Sequence, residues 1–242
     1  MNNTYILIPS RIGSTRLNRK PLIEINGESL IQRVYKNAQH LTNNVFVATD
    51  SDEIKDNLSD LTDNVIITSS NHISGTDRVY EAATIIGLDR DDLIINLQGD
   101  EPFLPSNAVN QLVNDYKKNT CDVITLSNHL ESTSDLSNPN CVKVDIDINN
   151  FALDFFRLSE KKNLKRHIGI YGYSFHTLNK LVSLDPTKRE IENKLEQLRF
   201  LDHQFKIYVS NYGGQIPHGI DTEEDVIKAQ NYLNNNENNP ES

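Results

Sequence analysis

Five short strand-like runs, Ile6–Ile8, Val45–Asp50, Val65–Ile67, Leu93–Leu97 and Asp122–Ser127, alternate with helix-like stretches through the first half of the chain. Their cores are continuously apolar rather than alternating, so both faces of each strand must be buried. That pattern predicts a mostly parallel sheet flanked by helices, an α/β fold. Between the runs, Ser29 is placed to cap a helix reaching about His40, with Leu30, Ile31, Val34 and Ala38 on one face. Ser51-Asp52-Glu53 opens a short helix. Thr76 or Asp77 is expected to cap the next one, whose Val79, Ala82, Ala83 and Ile86 face inward, and a further helix covers about 106–117. Sheets of this kind bind ligands outside the carboxyl ends of their strands.

The second half has a different rhythm. Residues 141–147, 151–157 and 167–173 read as strands separated by turns such as Asn149-Asn150, predicting a smaller antiparallel lobe at about 141–173. Helices at about 175–184 and 189–202, a strand at 205–210 and a last helix opening at Asp221 complete the chain. One domain is expected over 1–233, followed by a polar tail, 234–242. The 242 residues can bury a proper core. A net charge of −10 argues against nucleic acid and against an anionic membrane as partner. Two cysteines without metal-binding spacing fit a reduced compartment, and the apolar run before Pro9 is too short for a secretory leader. A cytoplasmic location is therefore expected.

Chemistry concentrates in three segments. The first follows the opening strand: Pro9-Ser10-Arg11-Ile12-Gly13-Ser14-Thr15-Arg16-Leu17-Asn18-Arg19-Lys20-Pro21 carries four cations beside small residues. A loop of this kind can offer backbone N–H groups and positive charge to a phosphate. The second is Gln98-Gly99-Asp100, which sets a carboxylate at a strand end. The third is Gly219-Ile220-Asp221-Thr222-Glu223-Glu224, where Asp221 is either a helix cap or a second carboxylate of the same site. One or two carboxylates completed by phosphate oxygens and water suit Mg²⁺.

Read together, these segments resemble the cytidylyltransferases that activate 3-deoxy-manno-octulosonate (Kdo). Arg11, Ser14, Thr15, Arg16, Lys20 and Pro21 keep that family's opening pattern, which departs here at Ser10, Asn18 and Arg19, where Ala, Pro and Gly are usual. Ser74-Gly75-Thr76-Asp77-Arg78, Asn96–Pro102, Asn138–Val144, Arg166–Tyr173, Leu195–Arg199 and Gly219–Asp225 follow in the family's order. The resemblance implies a Rossmann-like nucleotidyltransferase fold and transfer of a cytidylyl group from CTP to an acidic sugar, with Mg²⁺ as cofactor. It implies nucleotide contacts from Arg11, Ser14, Arg16, Lys20, Ser74, Arg78 and Gln98. Arg11, Lys20 and Asp100 would carry catalysis, and Asp100 and Asp221 the metal. Arg157, His167, Tyr171, Glu196 and Gln197 would hold the sugar acid, and Kdo for lipopolysaccharide or another surface glycan is the expected acceptor.

A homodimer joined through the antiparallel lobe is the further implication. The family's Ile-Pro after Arg157 is missing, and only nine residues separate Arg157 from His167. The sugar pocket and the dimer surface are where this shortening would act. Related chemistry on 8-amino-Kdo or a nonulosonate, or a CTP-binding regulatory module, are the other readings. Retention of Arg11, Lys20, Asp100 and Asp221 speaks against the last.

Overall fold

The computed structural model describes residues 3–13, 17–130 and 132–237. Its first elements are β1 (Thr4–Ser10), β2 (Glu24–Ile25), β3 (Glu28–Ser29), α1 (Leu30–Gln39), β4 (Val45–Thr49), α2 (Asp52–Leu58), β5 (Val65–Ile67) and α3 (Gly75–Ile86). There follow β6 (Leu93–Asn96), α4 (Ser106–Lys118), β7 (Val123–Asn128), β8 (Lys143–Ile146), β9 (Ala152–Phe156) and β10 (Lys165–Ser174). The chain closes with α5 (Phe175–Leu181), α6 (Lys188–Asn193), α7 (Gln197–Asp202), β11 (Ile207–Asn211) and α8 (Glu223–Glu237). These divide between two compact units. The first comprises Tyr5–Gly87, Asn96–Ser106 and the segment from Ile216 onward; the second comprises Leu88–Ile95 and Asn107–Gln215 with the chain start.

In the first unit β1, β4 and β5 lie parallel, with Ile6 opposite Val45, Ile8 opposite Val47, and Val47 opposite Val65. Ile6, Leu7, Ile8, Val45 and Val47 are almost wholly buried, which is why these strands read as unbroken apolar runs. Helix α1 begins where expected: the Ser29 hydroxyl accepts from the Gln32 N–H, and the Gln32 side chain reaches back to the Ser29 N–H. For α3 the cap is Ser74, not Thr76 or Asp77. Asp77 is the third-residue partner of the same reciprocal cap, and Thr76 is buried in the first turn.

In the second unit β7 runs parallel to β11 and antiparallel to β10, and β8 and β9 extend antiparallel from β10. The architecture is the α/β fold expected from the sequence, mostly parallel strands under helices with a smaller antiparallel lobe. Gly172 shows how tightly β10 is packed, since a Cβ there would sit 2.7 Å from Ile124 Cγ2.

The helix expected over 189–202 is instead two. Lys194 adopts the left-handed conformation (φ 53°), which ends α6 and turns Leu195 into the core before α7 starts. Helix α8 continues to Glu237, past the polar boundary drawn at 233, and residues 238–242 of the expected tail lie outside the described residues. Among the described residues no helix is long and apolar enough to cross a membrane.

Candidate active site

The loops after β1 and β6, the start of α3 and the turn before α8 all belong to the first unit and surround one cleft of about 300 Å³. Seven residues predicted from sequence line it: Arg11, Lys20, Ser74, Arg78, Gln98, Asp100 and Asp221. Ser14 and Arg16 lie outside the described residues.

Lys20 forms the electrostatic centre. Its ammonium donates to Asp100 Oδ2 at 2.7 Å and to Asp221 Oδ1 at 2.9 Å, joining groups 80 and 201 residues away in the chain. Burial pulls the Lys20 pKa down, but the two carboxylates outweigh it and hold the pKa above the ordinary lysine value. The lysine therefore stays charged through the neutral range. A backbone bond from Ile220 N to Asp100 O (2.9 Å) ties the two acidic segments together. The capping alternative for Asp221 is set aside by the same geometry. Asp225 Oδ2 accepts from the N–H groups of Asp221 and Thr222, so Asp225 and Thr222 organise the helix start while the Asp221 carboxylate turns to Lys20.

Arg78 is more deeply placed than a surface phosphate ligand. It is 3% exposed, and its guanidinium donates to Asp50 Oδ2 (2.9 Å) and Thr68 Oγ1 (2.6 Å). Asp50 Oδ1 also accepts from Ile12 N at 3.3 Å, so one carboxylate at the end of β4 braces both Arg78 and the basic loop. Sequence reasoning placed no site role on Asp50. The signal available was an apolar strand ending in a carboxylate, the same pattern that singled out Asp100.

His72 was also missed. It lines the cleft two residues ahead of Ser74 and is held by Glu81. The Ser74 hydroxyl is occupied by its cap, donating to Asp77 Oδ2 at 2.9 Å. Arg19, one of the four loop cations, is instead exposed, paired with Glu53 and held at φ 52°, a left-handed conformation that glycine adopts without cost.

Among the described residues no group of three or more His, Cys, Asp or Glu side chains is arranged around a metal position. Asp100 and Asp221, each about one-third exposed, nevertheless converge on a single cationic atom. Two carboxylates open to solvent are a donor set that Mg²⁺ accepts when phosphate oxygens and water complete its shell.

The expected sugar-acid residues all belong to the second unit. Arg157 spends its guanidinium on backbone carbonyls of Pro139, Asn193 and Lys194, at 3.0, 2.7 and 2.9 Å, and so clamps the lobe. His167 and Tyr171 are neighbours on β10, with ring centroids 5.6 Å apart. Burial and then the nearby Glu196 carboxylate push the Tyr171 phenol well above its usual pKa. Glu196 precedes α7, and Gln197, its first residue, is buried.

The Thr125 hydroxyl donates to Ile170 O at 2.8 Å, leaving His167 Nε2, 2.9 Å away, to donate to Thr125 Oγ1. Burial pushes the His167 pKa down to about 3. The native ring is therefore neutral, whereas the unfolded ring titrates near 6.5. Stability from this source is intact above pH 6.5 and declines as pH falls toward 3, by up to about 1.4 kcal/mol per pH unit. Urea unfolding at pH 7 and pH 4.5 should show wild type losing more stability than His167→Gln; equal losses would show that the native ring titrates.

The chain is similar in sequence and fold to known proteins. Residues 5–207 fit the family model described as cytidylyltransferase. The 3-deoxy-manno-octulosonate cytidylyltransferase of Francisella tularensis subsp. novicida (strain U112) is 38% identical over 97% of this chain and 100% of its own. That of Lawsonia intracellularis (strain PHE/MN1-00) is 39% identical over 95% and 93%. A solved CMP:2-keto-3-deoxy-manno-octonic acid synthetase, complexed with CTP, superposes with a TM-score of 0.88 at 30% identity, covering 97% of this chain and 99% of that one. The 4-diphosphocytidyl-2C-methyl-D-erythritol synthase of Anaerococcus prevotii DSM 20548 shares the fold alone, at a TM-score of 0.66 and 16% identity over 96% of each chain. With its cleft loops in place and full-length relatives of one kind, this chain belongs to the Kdo cytidylyltransferase family.

Proposed function

We propose that the protein transfers the cytidylyl group of CTP to the anomeric hydroxyl of Kdo, releasing pyrophosphate. The observation that carries this reading is the Lys20 ammonium shared by Asp100 and Asp221 in a cleft also lined by Arg11. In this reading a bond forms between the sugar oxygen and the α-phosphorus, and the α–β phosphoanhydride breaks. No covalent enzyme intermediate is required, so the protein's task is alignment and charge neutralisation. Arg11 and Lys20 face the triphosphate, while the Asp50 brace keeps Arg78 and the basic loop in place. Asp100 and Asp221 would hold Mg²⁺, which when bound neutralises phosphate charge and lowers the pKa of a coordinated hydroxyl. Residues Arg157, His167, Tyr171, Glu196 and Gln197 are proposed for the sugar acid.

The test is a pyrophosphate-release assay with CTP, Mg²⁺ and a panel of acid sugars. Kdo should turn over, and Asp100→Asn or Asp221→Asn should abolish most of the rate while the fold is kept. Tight CTP binding without release on any sugar would favour the regulatory-module reading. A cytoplasmic place in lipopolysaccharide or surface-glycan synthesis accompanies the proposal. So does a homodimer, supported by Leu153 and Leu158, large apolar side chains exposed on and beside β9. Light scattering at 27.5 kDa and micromolar concentration would refute the dimer.

A further inference from the structure

A regular strand does not bring His167 and Tyr171 together. They are four residues apart on β10, which at about 3.3 Å per residue separates their backbones by about 13 Å. Their ring centroids nevertheless lie 5.6 Å apart. The register with β7 accounts for this. Ile168 lies opposite Leu126 and Tyr171 opposite Thr125, so three steps along β10 are matched by one step along β7. Gly169 and Ile170 are therefore two extra residues, a bulge in the strand. Because the excess is even, His167 and Tyr171 stay on one face, opposite Ser127 and Thr125, at the spacing of next-but-one residues. Tyr171 is the more exposed of the two, and His167, 9% exposed, lies against it.

One side chain of β7 holds this bulge. Extra residues disrupt the ladder of backbone hydrogen bonds, and here two carbonyls of the bulged segment turn to the fully buried Thr125 hydroxyl, Ile170 O at 2.8 Å and Ile168 O at 3.3 Å. Carbonyls only accept. The single hydroxyl hydrogen goes to the nearer one, so the third neighbour, His167 Nε2 at 2.9 Å, has to donate. The ring is neutral at physiological pH, since burial holds its pKa at about 3. A neutral imidazole carries one N–H; with that hydrogen on Nε2, Nδ1 is left as the ring's acceptor. Phe155 meets the same ring edge-on, with centroids 5.0 Å apart, and limits its rotation. A single hydroxyl thus governs both the spacing of two rings and the tautomer of one.

We propose that Thr125 is a positioning residue for the acid sugar: its hydroxyl holds the β10 bulge, sets Tyr171 beside His167, and fixes the tautomer in which His167 meets the sugar. The assignment rests on the reading that His167 and Tyr171 hold the sugar acid. Its test is steady-state kinetics with CTP and Kdo for wild type, Thr125→Val, which keeps the shape but not the hydroxyl, and Thr125→Ser, which keeps the hydroxyl. Thr125→Val should raise the KM for Kdo about tenfold, equivalent to about 1.4 kcal/mol, and leave the KM for CTP within about twofold. Thr125→Ser should restore the Kdo value to within about twofold of wild type. Imidazole nitrogen NMR, with His167 assigned through His167→Gln, should show the wild-type hydrogen on Nε2 and a mixture of tautomers in Thr125→Val. Equal rises in both KM values, or a folded Thr125→Ser as impaired as Thr125→Val, would overturn the proposal in favour of a general structural role. A wild-type His167 carrying its hydrogen on Nδ1 overturns it too, and that result stands even if Thr125→Val does not fold. An unchanged Kdo KM in both His167→Gln and Tyr171→Phe would overturn the sugar-site reading itself, and this proposal with it, whatever Thr125→Val does.

Discussion

Replacing Lys20 by methionine is expected to slow cytidylyl transfer on the order of 10²–10³-fold, the range seen when one preorganised charge-stabilising group is removed. Two effects combine. In the proposed reading the triphosphate would lose a cation held in position at no cost during reaction, and Asp100 and Asp221 lose the ammonium that bridges them at 2.7 and 2.9 Å. Both carboxylates are about one-third exposed. Water and salt therefore relieve part of their repulsion, and the variant should fold. Single-turnover rates in excess CTP separate the effects from simple weak binding: the rate itself must fall, not only the CTP concentration needed. A variant with near-normal turnover at saturating CTP would remove Lys20 from the chemistry. Arg19→Ala is the control, since Arg19 is exposed and pairs with Glu53.

Asp50→Ala should strongly destabilise the first unit. It leaves the Arg78 guanidinium buried with its carboxylate partner gone, and it takes the acceptor from Ile12 N. Breaking a buried ion pair from one side costs about 3–5 kcal/mol, much of it for the charge left behind. For a chain of this size that corresponds to a fall in Tm of roughly 6–20 °C. Removing both charges, as Asp50→Ala with Arg78→Met, should cost clearly less than the sum of the single variants, because no orphaned charge remains. Thermal unfolding of the four proteins reads this directly. Additive losses, or a loss below 1 kcal/mol for Asp50→Ala, would mean that Arg78 finds water or another partner.

Much of the architecture could be read from local pattern. Most strands of the first half were visible as uninterrupted apolar runs because they are largely buried on both faces, whereas β5, expected to be buried likewise, leaves Ile67 exposed; α1 was visible through Ser29 and its buried stripe of Leu30, Ile31, Val34 and Ala38. Lys20, Asp100 and Asp221 were identified separately, each by its own segment. What no segment could show is that one ammonium joins two carboxylates that lie 80 and 201 residues further along the chain, since that depends on which loops the sheet brings together. Tertiary structure also decided between local alternatives that sequence leaves nearly equal. Ser74 took the cap rather than Thr76 because its extended backbone places the hydroxyl on the Asp77 N–H. The helix expected at 189–202 broke at Lys194, where burying Leu195 outweighed continuing the turn. Asp50 and Arg78 owe their roles to burial. Periodicity records which face of an element is covered, but not which polar group the packing encloses with a partner, as Arg78, or without one among the described residues, as the Ser10 hydroxyl.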